Sequence, residues 1–167
     1  SSLGIANGPF QAYLLYPASL ISAGPLAPYY VVAFLNLLGV ALLWAFVRRY
    51  WDPHLALLAL LFSAVNPWAV IFSRRLLGND LVAPFTVLLV WSLCDLFQRG
   101  RRRDNVLPFL WLAIAIQVYV VALAHLLLAA FALAAGVRRL RPIPFLAGVA
   151  LFAVLTAPYL IAAVLPN

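Results

Sequence analysis

The sequence predicts an all-α protein, a polytopic transmembrane helical bundle with an interfacial helix at its N-terminal end. Three observations predict it. The chain of 167 residues is 67% hydrophobic, with a mean hydropathy of +1.07, where a soluble domain is about half apolar. Only 9% of its residues are charged, against roughly a quarter in an average soluble domain. The cations fall into short clusters between apolar runs: 48–49, 74–75, 99–103 and 138–141.

The elements follow in order within a single transmembrane domain. Residues 1–8 are small and polar, and Pro9 suits the first turn of a helix, where its missing N–H costs nothing. Residues 9–22 mix Phe10, Tyr13, Leu14 and Tyr16 with Gln11, Ser19 and Ser22. They are too few to span a bilayer, which takes about 20 residues, and they predict an interfacial helix lying at the headgroups. Residues 28–47 form a clean span, with Tyr29 and Tyr30 at one interface and Arg48, Arg49 and Trp51 at the other. Asn36 inside it predicts an interhelical hydrogen bond. A second span covers 53–72, and Pro67 predicts a kink or break near Asn66. A third covers 81–98 with Pro84 in its first turn, and the last covers 142–165.

Residues 105–136 are ambiguous on length. One helix there would be about 45–50 Å long, against a hydrocarbon core of about 30 Å. The positive-inside rule decides. With Arg48 and Arg49 cytoplasmic, the clusters at 99–103 and 138–141 are also cytoplasmic only if 105–136 turns back on itself. A short helical hairpin is therefore expected, turning near Gln117 and Tyr119. The first eight residues, the segment from Arg74 to Asp80, and Asn167 then face outward.

All eleven basic residues are Arg and all four acidic residues are Asp, giving a net charge of +7. Arginine clusters between spans set topology, so the lipid bilayer is the expected partner and nucleic acid is not. The lone Cys94 excludes a disulfide framework, and no Cys/His zinc spacing is present. The chain has no Gly-rich phosphate loop, no HExxH and no GxSxG. Asp95 is placed to pair with Arg99 four residues on. Asp104 belongs to the charged loop, and His54 follows Asp52-Pro53 as a solvated residue. His125 is expected to bond to a neighbouring helix. The opening SSLGIANGPF lacks a basic n-region and an apolar h-region, and the chain contains no Met; both suggest an internal fragment of a larger membrane protein.

One stretch breaks the pattern. NPWAVIFSRRLLGNDL (66–81) carries Ser73, Arg74, Arg75, Asn79 and Asp80 at the expected outer face. Arginines there oppose the positive-inside rule, and an anionic group opposite them would account for their presence. A turn at Gly78-Asn79-Asp80 with Asp80 as a helix N-cap would account for the carboxylate without chemistry. Arg74 or Arg75 could equally pair with Asp80 or reach lipid headgroups.

Several segments resemble the membrane glycosyltransferases of the GT-C superfamily, closest to its bacterial dolichyl-phosphate-mannose-protein mannosyltransferase-like group. They are GPFQAYLLYP (8–17), the span ending RRYW (48–51), NPWAVIFSRRLLGNDLVAPF (66–85) and LAIAIQVYVVALAH (112–125). The resemblance implies an enzyme of the bacterial inner membrane whose sugar donor is a polyprenyl-phosphate sugar. It implies that Arg74 and Arg75, with Ser73 and Asn79, contact phosphate or substrate, and that Asp80 is a catalytic carboxylate. In the family the main catalytic Asp lies in a first outer loop, expected ahead of Ser1. The aminoarabinose transferases of the superfamily carry Glu-Lys-Pro-Pro where this chain has Asn7-Gly8-Pro9-Phe10, so neither their acidic metal contact nor their lysine carries over, and no metal or other cofactor is expected. Tyr119 stands where the family pattern has His. Two readings compete: a transporter or flippase of lipid-linked or anionic substrates, whose broken helices would look similar, and a structural membrane subunit.

Overall fold

A computed structural model describes residues 9–21, 24, 26–67, 71 and 81–164. Among these the protein is all α. The helices are α1 (Pro9–Ile21), α2 (Ala27–Tyr50), α3 (Pro53–Val65), α4 (Ala83–Arg99), α5 (Leu107–Val118), α6 (Ala124–Ala135) and α7 (Pro142–Val164). Short 3-10 turns at Arg103–Asn105, Val120–Leu123 and Val137–Arg139 join the later ones.

Local chemistry sets the helix ends. Proline occupies an opening position of α2, α3, α4 and α5, where its missing donor is harmless and its φ is already helical. Asp52 caps α3 by accepting from the His54 backbone N–H at 2.7 Å. At the far end of α3, Asn66 precedes Pro67 and is extended (φ −70°, ψ 114°), as clash with the proline ring demands. α4 ends on Gly100 in the left-handed region (φ 54°, ψ 34°), a conformation open to glycine at little cost. Between α5 and α6 the backbone of Tyr119 is extended (φ −150°, ψ 117°). It ends α5 before the chain re-enters a 3-10 turn.

Contacts between alternate helices fix the arrangement. Gly39, Phe46 and Arg49 of α2 meet Pro84, Trp91 and Asp95 of α4 in that order. Along α4 and α6 the order is Thr86 to His125 and then Phe97 to Gly136, with Gly100 against Arg139 just beyond. Asn105 meets Arg141 ahead of α5 and α7, which then pair Phe109 with Phe145 and Gln117 with Leu155. Each pair therefore runs parallel. Chain direction alternates along the sequence, and the clusters at 48–49, 99–103 and 138–141 gather at one end.

The same contacts reveal a step in depth. Gly39 lies ten residues before Arg49, roughly 15 Å along α2, and α4 starts beside it. α6 starts near Thr86 of α4. α3 and α5, of 13 and 12 residues, rise only about 18–20 Å from the arginine-rich end. α2 and α7 alone among the described helices are long and apolar enough to cross a membrane. Six helices thus pack the arginine-rich half of the bundle. In the other half, α2 and α7 continue past the ends of the short helices. There α1 lays Phe10, Leu14 and Leu15 on the core formed by Val32, Leu81, Phe85, Leu89, Leu112 and Ile116.

The outward surface is apolar. Leu37, Leu61, Phe62, Leu127, Phe131 and Ile143 are all more than half exposed. A soluble protein rarely shows such continuous apolar surface, whereas a bilayer covers it.

Candidate active site

Ser73, Arg74, Arg75, Asn79 and Asp80, the residues singled out by sequence, lie outside the described residues. Their flanks are described. The residue after Asp80, Leu81, is fully buried in the core. Val82 takes the N-cap position of α4, two residues after Asp80. Pro84 then seats against α2, where a Cβ on Gly39 would lie 3.3 Å from the Pro84 nitrogen. Phe85 meets Phe10 of α1 edge to face at 6.1 Å. The chain that follows the Arg-Arg-Asn-Asp stretch is thus pinned between α1, α2 and the core, at the step where the short helices begin.

Polar side chains in the described residues collect at that step. Gln117, at the end of α5, donates its Nε2 to the Leu155 carbonyl of α7 at 3.0 Å. Pro158, inside α7, has no N–H for the Val154 carbonyl, so that turn is loosened and Gln117 bonds to the next carbonyl along. His125 Nδ1 lies 3.1 Å from the Ala122 carbonyl, and its Nε2 lies 3.1 Å from Thr86 Oγ1. A carbonyl can only accept, so Nδ1 carries a proton, and Nε2 has the Thr86 hydroxyl as its partner, a hydroxyl that also lies 3.2 Å from the Val82 carbonyl as its donor. His125 is therefore bonded to its own turn and to a neighbouring helix. Asn36 donates to the Val32 carbonyl one turn back in its own helix, at 2.9 Å.

Beside Gln117 an open crevice of about 460 Å³ runs between α1, α5 and α7. Phe10, Tyr13, Ile114, Pro158 and Tyr159 are among its walls. It is an apolar slot with one amide and two phenols at its edge, shaped for a lipid chain more than for a charged group. Among the described residues no three His, Cys, Asp or Glu side chains converge as a metal site would require.

The opposite end of the bundle is held by charge. Asp95 accepts from Arg49 at 3.0 Å and from the Tyr50 hydroxyl at 2.8 Å, and pairs with Arg99 at 3.5 Å. Only the Arg99 contact has a sequence signal, the i, i+4 spacing. Asp104 is buried within its charged loop: its Oδ2 accepts from the Arg101 backbone N–H at 2.9 Å. Asn105, also buried, donates to the Arg101 carbonyl and accepts from the Arg141 backbone N–H at 2.9 Å. These bonds tie one arginine loop to the other.

The profile of the family described as dolichyl-phosphate-mannose-protein mannosyltransferase matches residues 7–161. The chain belongs to this family. The match runs through α1, the Arg-Arg-Asn-Asp stretch and the crevice alike. Membership in a membrane glycosyltransferase family agrees with the all-α fold, the two membrane-length helices and the apolar exterior. No curated protein and no solved structure matches the chain.

Proposed function

We propose that this mannosyltransferase-family chain works in sugar transfer from a polyprenyl-phosphate-linked donor at the outer face of a bacterial plasma membrane. Arg74 and Arg75 grip the donor phosphate, which suits a planar guanidinium fork. Ser73 and Asn79 add hydrogen bonds to phosphate or sugar. Asp80 is a second catalytic carboxylate at the active-site face, beside the family's main Asp, and helps draw the proton from the acceptor hydroxyl. The acceptor oxygen attacks the anomeric carbon, the bond from that carbon to the phosphate oxygen breaks, and polyprenyl phosphate leaves with the electron pair. The guanidinium groups steady the charge that develops there. The polyprenyl chain follows the apolar surface toward the slot beside Gln117.

The observation that carries this reading is the family match across 66–85.

The test uses the full-length protein in lipid vesicles with a radiolabelled polyprenyl-phosphate sugar. Asp80→Asn is expected to lower transfer by a factor of about 10²–10⁴, the range for a carboxylate that takes part in proton transfer. Arg74→Gln with Arg75→Gln should raise the donor KM. Transfer at the wild-type rate in both variants would refute the assignment. Movement of the labelled lipid across the vesicle membrane with no transferred sugar would identify a flippase instead.

A further inference from the structure

The two buried polar residues of the 99–106 loop do more than close a turn. Asn105 clamps the Arg141 backbone to the Arg101 carbonyl. Asp104 spends one carboxylate oxygen on the Arg101 N–H, and the other lies 3.6 Å from Arg103. As a result Arg102 and Arg141, 39 residues apart in sequence, are brought to the walls of one open cavity of about 320 Å³. Pro142, Ile143 and Pro144 make its remaining lining. Neither arginine has an ion pair among the described residues: Asp95 is taken by Arg49 and Arg99, and Asp104 by Arg103. Ile143 is 81% exposed, and Leu146, one turn further along α7, is 64% exposed.

The cavity therefore has two sides of different chemistry. One carries Arg102 and Arg141, without an ion pair among the described residues, at the end of the bundle where the arginine clusters gather. The other is an apolar wall continuous with the outward face of α7. Arginines that only set topology need charge alone. They need no fixed loop-to-loop clamp, no shared cavity and no adjoining apolar wall.

We propose that this cavity binds one anionic phospholipid. Its phosphate sits between Arg102 and Arg141, and one acyl chain runs along Ile143 and Leu146. Basic pockets between transmembrane helices are suited to such headgroups, and the paired guanidinium fork matches phosphate oxygens. The site lies at the opposite end of the bundle from the start of α4 and is independent of the donor reading.

The experiment reconstitutes the full-length protein in nanodiscs of phosphatidylcholine alone or with phosphatidylglycerol. Co-purified phospholipid is counted by mass spectrometry, and affinity is read from a lipid titration. The wild type should retain phosphatidylglycerol selectively. Arg102→Gln with Arg141→Gln should weaken it roughly thirtyfold, since each interfacial arginine contributes about a fivefold share. Arg138→Gln with Arg139→Gln, equal in charge removed, should change it little. Thermal unfolding in phosphatidylcholine alone checks that both variants fold. Equal weakening in the two double variants would mean diffuse attraction and would overturn the proposal, as would undiminished retention in Arg102→Gln/Arg141→Gln. Inorganic phosphate displacing the lipid at millimolar concentration would show a simple anion site, and would also overturn it.

Discussion

Gly148→Ala should loosen the contact between α5 and α7. An alanine methyl at 148 would lie 2.5 Å from Phe109 Cδ2, 3.2 Å from Cε2 and 2.9 Å from the Asn105 carbonyl oxygen. Carbon atoms rest about 3.5–4.0 Å apart, so the ring is too close by about 1 Å. The ring can turn by a small amount, but the carbonyl belongs to the backbone. It is held by the Asn105 side chain, which binds both the Arg101 carbonyl and the Arg141 N–H. The helices must separate instead, and separation strains the Gln117–Leu155 bond at the other end of the pair. Overpacking of this kind costs about 1–3 kcal/mol. Denaturant titration in detergent, followed by tryptophan fluorescence, measures it. Leu146→Ala, at an exposed position on the same helix, is the control and should be within about 0.5 kcal/mol of wild type. If Gly148→Ala matched that control, the close parallel approach of α5 and α7 would be refuted.

Three further outcomes are expected. Asp95→Asn leaves Arg49 and Arg99 without their shared counter-charge and should destabilise by about 1–3 kcal/mol; a double-mutant cycle with Tyr50→Phe should show coupling, and additivity would break the three-partner account. Gln117→Leu removes one interhelical bond and should cost about 0.6 kcal/mol, with ~1.7 as the ceiling for such bonds in membranes; a larger loss in the same titration would mean that Gln117 holds more than the Leu155 carbonyl. In a Cys94→Ala background, Leu26→Cys should react with an impermeant maleimide from outside intact cells and Arg102→Cys should not, by the positive-inside rule; labelling of position 102 from outside would invert the topology.

The long elements had strong signals in the sequence. α2 is an unbroken apolar run closed by Arg48 and Arg49, and α7 begins at two prolines after an arginine cluster. Pro67 and Pro84 mark where α3 must end and where α4 can begin. The arginine clusters imply a return of the chain within 105–136, and the extended Tyr119 lies inside that stretch. Other features had no local signal. Arg49 and Tyr50 reach Asp95 across 46 and 45 residues, and nothing in either sequence neighbourhood announces the other. The burial of Asp104 depends on a loop folding back on its own backbone, which a charged run does not signal. The step in depth at Gly39 and Pro84 comes from packing register, which helix length alone does not contain. Of the site, the residue types of Ser73–Asp80 stood out because polar residues are rare here, whereas the crevice beside Gln117 is assembled from three helices with ordinary apolar sequences.

The parallel pairing of alternate helices has a consequence in time. The side-chain hydrogen bonds between helices described above join partners about 40 residues apart: Arg49 with Asp95, Thr86 with His125, Gln117 with Leu155. At a synthesis rate of 5–20 residues per second, each first partner is made about two to nine seconds before its second. During that interval Gln117 has no Leu155 carbonyl to bond, and Arg49 has no Asp95. The nascent bundle therefore passes through a period in which its polar groups rely on water, headgroups or the insertion machinery, and a slowed ribosome would prolong it.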